Sequence, residues 1–114
     1  MPDITQRPDE SKTAWLDRLD RLCAEAIMGE RGWIAPAKCV LPWRPTRNYG
    51  QAFRVQGVAI DKAGVSRFTI ELEQLRPGEN WVSYHVIREW LATAQPLPRV
   101  LAALAALNKE SANA

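Results

Sequence analysis

Histidine occurs once in the chain, at His85, and cysteine twice, at Cys23 and Cys39. A hydrolase of the common kinds needs a nucleophile beside a base, and one imidazole with no Gly-x-Ser-x-Gly turn gives no such pairing. The two cysteines have neither redox nor zinc-type spacing, and a Cys23, Cys39 and His85 metal site would need three separate segments to converge. No Walker loop, dinucleotide fingerprint or calcium loop is present, so neither enzymatic activity nor a cofactor or metal is expected. No stretch approaches the roughly 18 to 20 apolar residues of a membrane span, and the start of the chain lacks the charged-then-apolar order of a secretory signal. These absences argue against a membrane partner and for a cytoplasmic protein whose cysteines stay reduced.

Acidic residues are missing from one block. Residues 32–60 hold four basic residues (Lys38, Arg44, Arg47, Arg54) and no acidic one, within a chain whose net charge is only +2. The segments on either side are mixed in sign, so this block is the one place where charge hints at a partner.

What is there is ordinary globular material: 46% hydrophobic and 25% charged residues over 114 positions, enough for one core. Residues 13–107 are expected to form a single domain, with 1–12 and 108–114 as flexible tails because both ends are poor in large apolar side chains. From 13 to 28 the residues Trp15, Leu16, Leu19, Leu22, Cys23, Ala26 and Ile27 recur at helical spacing, with Ser11 or Thr13 as cap and Gly29 or Gly32 as stop. Residues 32–49, with three prolines, read as extended and turn-rich, with an optional short edge strand at 38–41.

Between 51 and 75 the apolar pattern reads as period two: Phe53 and Val55, Val58 and Ile60, then Phe68, Ile70 and Leu72. This predicts a β-hairpin pairing 53–60 with 65–72, turning at Asp61-Lys62-Ala63-Gly64, with a bulge at Gln56-Gly57. Its other face would carry Arg54, Gln56, Arg67, Thr69, Glu71 and Glu73. A helix from about Ser83, stopped by Pro96, buries Val86, Ile87, Trp90, Leu91 and Ala94. A last helix presents Leu97, Val100, Leu101, Leu104 and Leu107. The predicted fold class is therefore α+β: a small antiparallel sheet packed against an N-terminal helix and two C-terminal helices.

The run from Val82 to Leu91, followed by Leu97-Pro98, resembles the second helix of excisionase-type and mercury-resistance-regulator-type helix-turn-helix proteins. That resemblance would turn Tyr84, His85 and Arg88 toward DNA. It covers about a tenth of the chain, and it departs at the preceding segment, read here as a strand and a Pro-Gly loop where that family has a helix and a tight turn. No family is carried over from it.

The constellation with a physical rationale is the acid-free block, where Trp33, Trp43, Tyr49 and Phe53 interleave with Lys38, Arg44, Arg47 and Arg54. Tryptophan and arginine dominate interface hot spots, and prolines limit the entropy lost on ordering a loop. The reading is a non-enzymatic protein-binding module, an inhibitor, adaptor or accessory subunit, whose site is Trp43, Arg44, Arg47, Tyr49 and Arg54. The alternative is a nucleic-acid binder that stacks bases on the same rings and pairs phosphates with the same arginines, using the exposed sheet face as well. Four positive charges are few for that task, since such domains usually exceed a pI of about 9.

Overall fold

The computed structural model describes residues 3–27, 43–78 and 83–113. Helix α1 (Lys12–Leu22) starts where the sequence places its cap: Ser11 Oγ accepts the Ala14 N–H at 3.1 Å, satisfying one of the donors left open at a helix start. It buries Leu16, Leu19 and Asp20 and runs on into a π-helical turn, Cys23–Ile27, which sinks Cys23 into the core. The expected stop at Gly29 or Gly32, Trp33, Lys38, Cys39, the optional strand at 38–41 and Trp81 lie outside the described residues.

A 3-10 turn, Pro45–Arg47, precedes Asn48, whose side chain accepts the Gln51 N–H at 2.9 Å and opens α2 (Tyr49–Ala63). Gly64 follows at φ 95°, and α3 (Val65–Gln74) begins at once. The expected hairpin is thus two helices, and the antiparallel sheet and the α+β class are overturned: no strand occurs among the described residues. The physical reason lies in which residues are buried. Helix α2 buries Ala52, Val55 and Ala59, and α3 buries Phe68, Glu71 and Leu72, both at three- and four-residue spacing. Phe53 and Val55, paired on one face by the strand reading, sit about 200° apart around a helix. Val55 is inside and Phe53 outside. The phase slip at Gln56-Gly57 is the helical period itself rather than a bulge. Gly64 has a positive φ, a backbone that glycine adopts without strain, and it joins two helices where a turn between strands was expected.

Helix α4 (Tyr84–Thr93) starts after Ser83 as expected, and α5 (Pro96–Asn113) begins at a proline, tolerated in a first turn where no intrahelical N–H is needed. The alanines of α5 set the architecture. Ala102, Ala103 and Ala106 are buried to 0% exposure together with Ala52 and Ala59 of α2. Side chains this small let α5 pack closely on α2, α3 and the 3-10 turn, which makes α5 the central element. Leu19, Cys23, Val55, Phe68, Leu72, Val100 and Leu104 complete the core. Helix α4 contributes no fully buried residue; Trp90 and Leu91 lie against the core from its edge, and the Trp90 indole donates to Leu72 O at 2.8 Å.

Residues 3–10 fold back on α1, where Arg18 donates to the carbonyls of Asp3 and Thr5 and to both Glu10 carboxylate oxygens, and Trp15 Nε1 donates to Ile4 O at 3.0 Å. The Arg18 bonds hold the Glu10 carboxyl at about 2, well below its ordinary 4.5. At the other end α5 extends through Asn113. No described helix is long and apolar enough to cross a membrane.

Candidate interaction surface on helix α2

The acid-free block meets the rest of the fold through one buried carboxylate. Asp20 on α1 is 4% exposed. Its Oδ1 accepts the Thr46 N–H at 2.9 Å, its Oδ2 accepts Arg47 Nη2 at 2.8 Å, and its main-chain carbonyl accepts Trp43 Nε1 at 3.0 Å. Arg47 also bonds Asp17 at 2.7 Å. These contacts pull the Asp17 carboxyl below its ordinary value, chiefly through the Arg47 bond, and raise the Arg47 guanidinium correspondingly. Segment 43–47 is therefore stapled to α1, and the sequence signal for the staple, an aspartate within an apolar helical stripe, is visible once Asp20 is placed beside Leu16 and Leu19.

The five residues chosen from the sequence separate into two groups. Trp43 and Arg47 serve the staple: the indole is half-buried, and the guanidinium lies between two carboxylates that offset its charge. Arg44 is exposed, and its N–H donates to Gln51 Oε1 at 2.6 Å. Tyr49 and Arg54 are exposed on the first turns of α2, away from Ala52 and Val55. The structure thus gathers the block at the start of α2, but not as one continuous cationic groove. The expected wet sheet face does not exist as a unit either: Gln56 bonds Arg99, Glu71 is buried, and Arg54 and Glu73 are exposed on different helices.

What the sequence reading left out of the site is Phe53, together with the residue that fixes it. Tyr49 and Phe53, one helical turn apart, are 47% and 49% exposed, with ring centroids 6.3 Å apart and planes at 29°. Arg99, from the first turn of α5, lies against the Phe53 ring with its guanidinium carbon 4.8 Å from the centroid. It is itself only 3% exposed. Its Nε donates to Ala94 O at 2.9 Å, Nη1 to Gln56 Oε1 at 2.9 Å, and Nη2 to Leu91 O at 3.0 Å and Ala92 O at 3.3 Å. The cation thus sits at the carboxyl end of α4, where the helix dipole favours positive charge. Burial pulls its pKa below that of a free guanidinium. One turn beyond Phe53, Gly57 extends the exposed stripe, and a Cβ built there meets no atom within 4 Å.

His85 is exposed beside Arg88 and Glu89 in a shallow depression, and Arg88 stacks on Tyr84 at 5.8 Å. No group of three or more His, Cys, Asp or Glu able to hold a metal occurs among the described residues. Fold and surface define a small helical domain with a preorganised aromatic ledge. Compared with known family models, with curated proteins and with solved structures, the chain matches none.

Proposed function

We propose that this chain is a non-catalytic module that binds another protein, using the Tyr49–Phe53 ledge of α2 and the adjoining Trp43–Arg47 segment. The observation that carries the reading is the aromatic pair itself: two stacked rings, each about half exposed, with Phe53 lying against the buried Arg99. Rigid aromatic side chains supply contact area at low entropic cost, which is what interface anchors do. Gly57 supports the same reading, because neither backbone angle nor internal crowding requires a glycine there, while a bare helix turn beside two rings lets a partner approach closely. The nucleic-acid alternative needs phosphate-pairing cations, and Arg47 would first have to leave Asp17 and Asp20. We place the module in the cytoplasm, where a reducing milieu suits the free, buried Cys23.

The test places a photo-crosslinking residue at Gly57 and irradiates the native lysate. A discrete protein adduct that vanishes with Tyr49→Ala and Phe53→Ala supports the reading; a nuclease-sensitive adduct overturns it. Retention on single-stranded DNA gives the second arm, with weak binding and little salt dependence expected. A salt slope that falls by about two units on replacing Arg44 and Arg47 by alanine would instead identify two phosphate contacts.

A further inference from the structure

A concave site elsewhere in the fold shares no residue with the ledge. The 3–10 segment, α1, α3 and α5 enclose an open cleft of about 310 Å³, at the small end of the roughly 300–1,000 Å³ typical of ligand pockets. Its walls are mainly apolar, with Ile4, the Trp15 indole, Leu75 and Leu101 prominent among them. One wall also carries Glu71, 7% exposed and a core-facing residue of α3. Lys109 of α5 pairs with Glu71 Oε1, while the lysine side chain is itself 48% exposed. Glu71 Oε1 is fully buried and takes no hydrogen bond besides this ion pair, so acceptor capacity on it is left unfilled, in a setting where an unpartnered polar group is costly.

We propose that this cleft binds a small arylalkylamine, with the ring against Trp15, Leu75 and Leu101 and the ammonium on Glu71. The chemistry selects the ligand on both counts. A purely apolar guest would shut the carboxylate away from water with acceptors unfilled, and an anionic guest would be repelled by it. An ammonium donates three hydrogen bonds to a group that can only accept. Lys109 competes for Glu71 Oε1, and its exposure lets it turn to solvent as the ligand enters. The Arg18 bonds to Asp3, Thr5 and Glu10 hold Ile4, Thr5 and Gln6 in place as the outer wall.

Titration calorimetry and amide NMR with 2-phenylethylamine on the full chain test this, with 2-phenylethanol as the neutral comparison. Saturable binding is expected for the amine, weaker by at least about tenfold for the alcohol and for the amine on Glu71→Gln. Lys109→Met should move affinity the other way, tightening the amine severalfold by removing the competing cation. A merely structural Glu71–Lys109 pair would not give opposite signs. Ala105→Phe, which fills the cleft, should abolish binding while the helical circular dichroism is retained. No saturable amine binding, equal affinity for amine and alcohol, or a Lys109→Met protein that binds no better than wild type overturns the proposal. Should Glu71→Gln fail to fold, the amine-to-alcohol ratio and the Lys109→Met result decide it.

Discussion

Replacing Arg99 by methionine removes a cation that bridges three helices, and the structure sets the size of the effect. Ala94 O, on a residue 1% exposed, loses its guanidinium donor, and a buried carbonyl left without a partner costs about 1–3 kcal/mol. Loss of positive charge at the end of α4 adds about 0.3–1 kcal/mol, and loss of the Phe53 contact about 0.5–2 kcal/mol. Leu91 O and Ala92 O, nearer the surface, can bond water instead. Against these stands the relief of no longer burying a charge whose described hydrogen-bond partners are all neutral oxygens. The net expectation is a loss of about 3 kcal/mol, or a melting temperature lower by roughly 12 °C for a domain of this size. Arg99→Lys should recover little, since a single ammonium cannot span acceptors that three guanidinium nitrogens now reach. Thermal and urea melts followed by circular dichroism measure the loss, and hydrogen exchange should show the amides of α4 speeding up most. A melting temperature within about 4 °C of wild type would refute the reasoning, as would faster exchange spread evenly over all helices.

Gly57→Ala should stabilise the fold by about 0.5–1 kcal/mol in a urea melt, because the site is open and alanine restricts the unfolded chain more than glycine; Gly64→Val should destabilise it by more than about 1 kcal/mol, because valine resists φ 95°. Cys23, fully buried and with its thiol pKa raised by that burial, should react with a thiol reagent only as the protein unfolds; fast labelling of native protein would contradict the packing of α1. Glu10, held at about 2 in the folded protein by Arg18 against an ordinary 4.5, binds fewer protons folded than unfolded between those values. Its contribution is complete above about pH 4.5 and is lost as pH falls through 2, so the amide shifts of residues 4–7 in the folded protein should stay constant down to about pH 3 and then move with a midpoint near 2. Glu10→Gln should abolish that step.

The three helices with large apolar stripes were legible because Leu16, Leu19 and Cys23, or Val100, Leu101 and Leu104, repeat at spacings that only a helix puts on one face. The middle of the chain was not, for a reason particular to alanine. In α2 the buried positions are Ala52, Val55 and Ala59, and two of the three are too small to register against Phe53, Val58 and Ile60 when large side chains are weighed. In α3 the run Phe68, Ile70, Leu72 alternates as a strand would, yet it also contains an i,i+4 pair; burial chooses the pair and leaves Ile70 52% exposed. The site was legible in part. Composition drew notice to the start of α2, but Phe53 was assigned inward by the wrong period, and Arg99 carries no local signal because its partners come from α2, α4 and the residues that end α4.

Gly64 leaves the middle of the molecule with no slack. It closes α2 by donating its N–H to Ile60 O at 2.8 Å and opens α3 by accepting the Phe68 N–H at 3.2 Å, so one residue serves as both the last of one element and the first of the next. Surface connections usually tolerate added length at little cost. Here an extra residue taken up by either helix would turn its phase by about 100°, carrying Ala59 or Phe68 out of register with α5. Homologous chains should therefore vary in length elsewhere and keep this elbow intact, since the ledge on α2 and the carboxylate on α3 are joined through a single pair of backbone angles and both helices must also stay in register with α5.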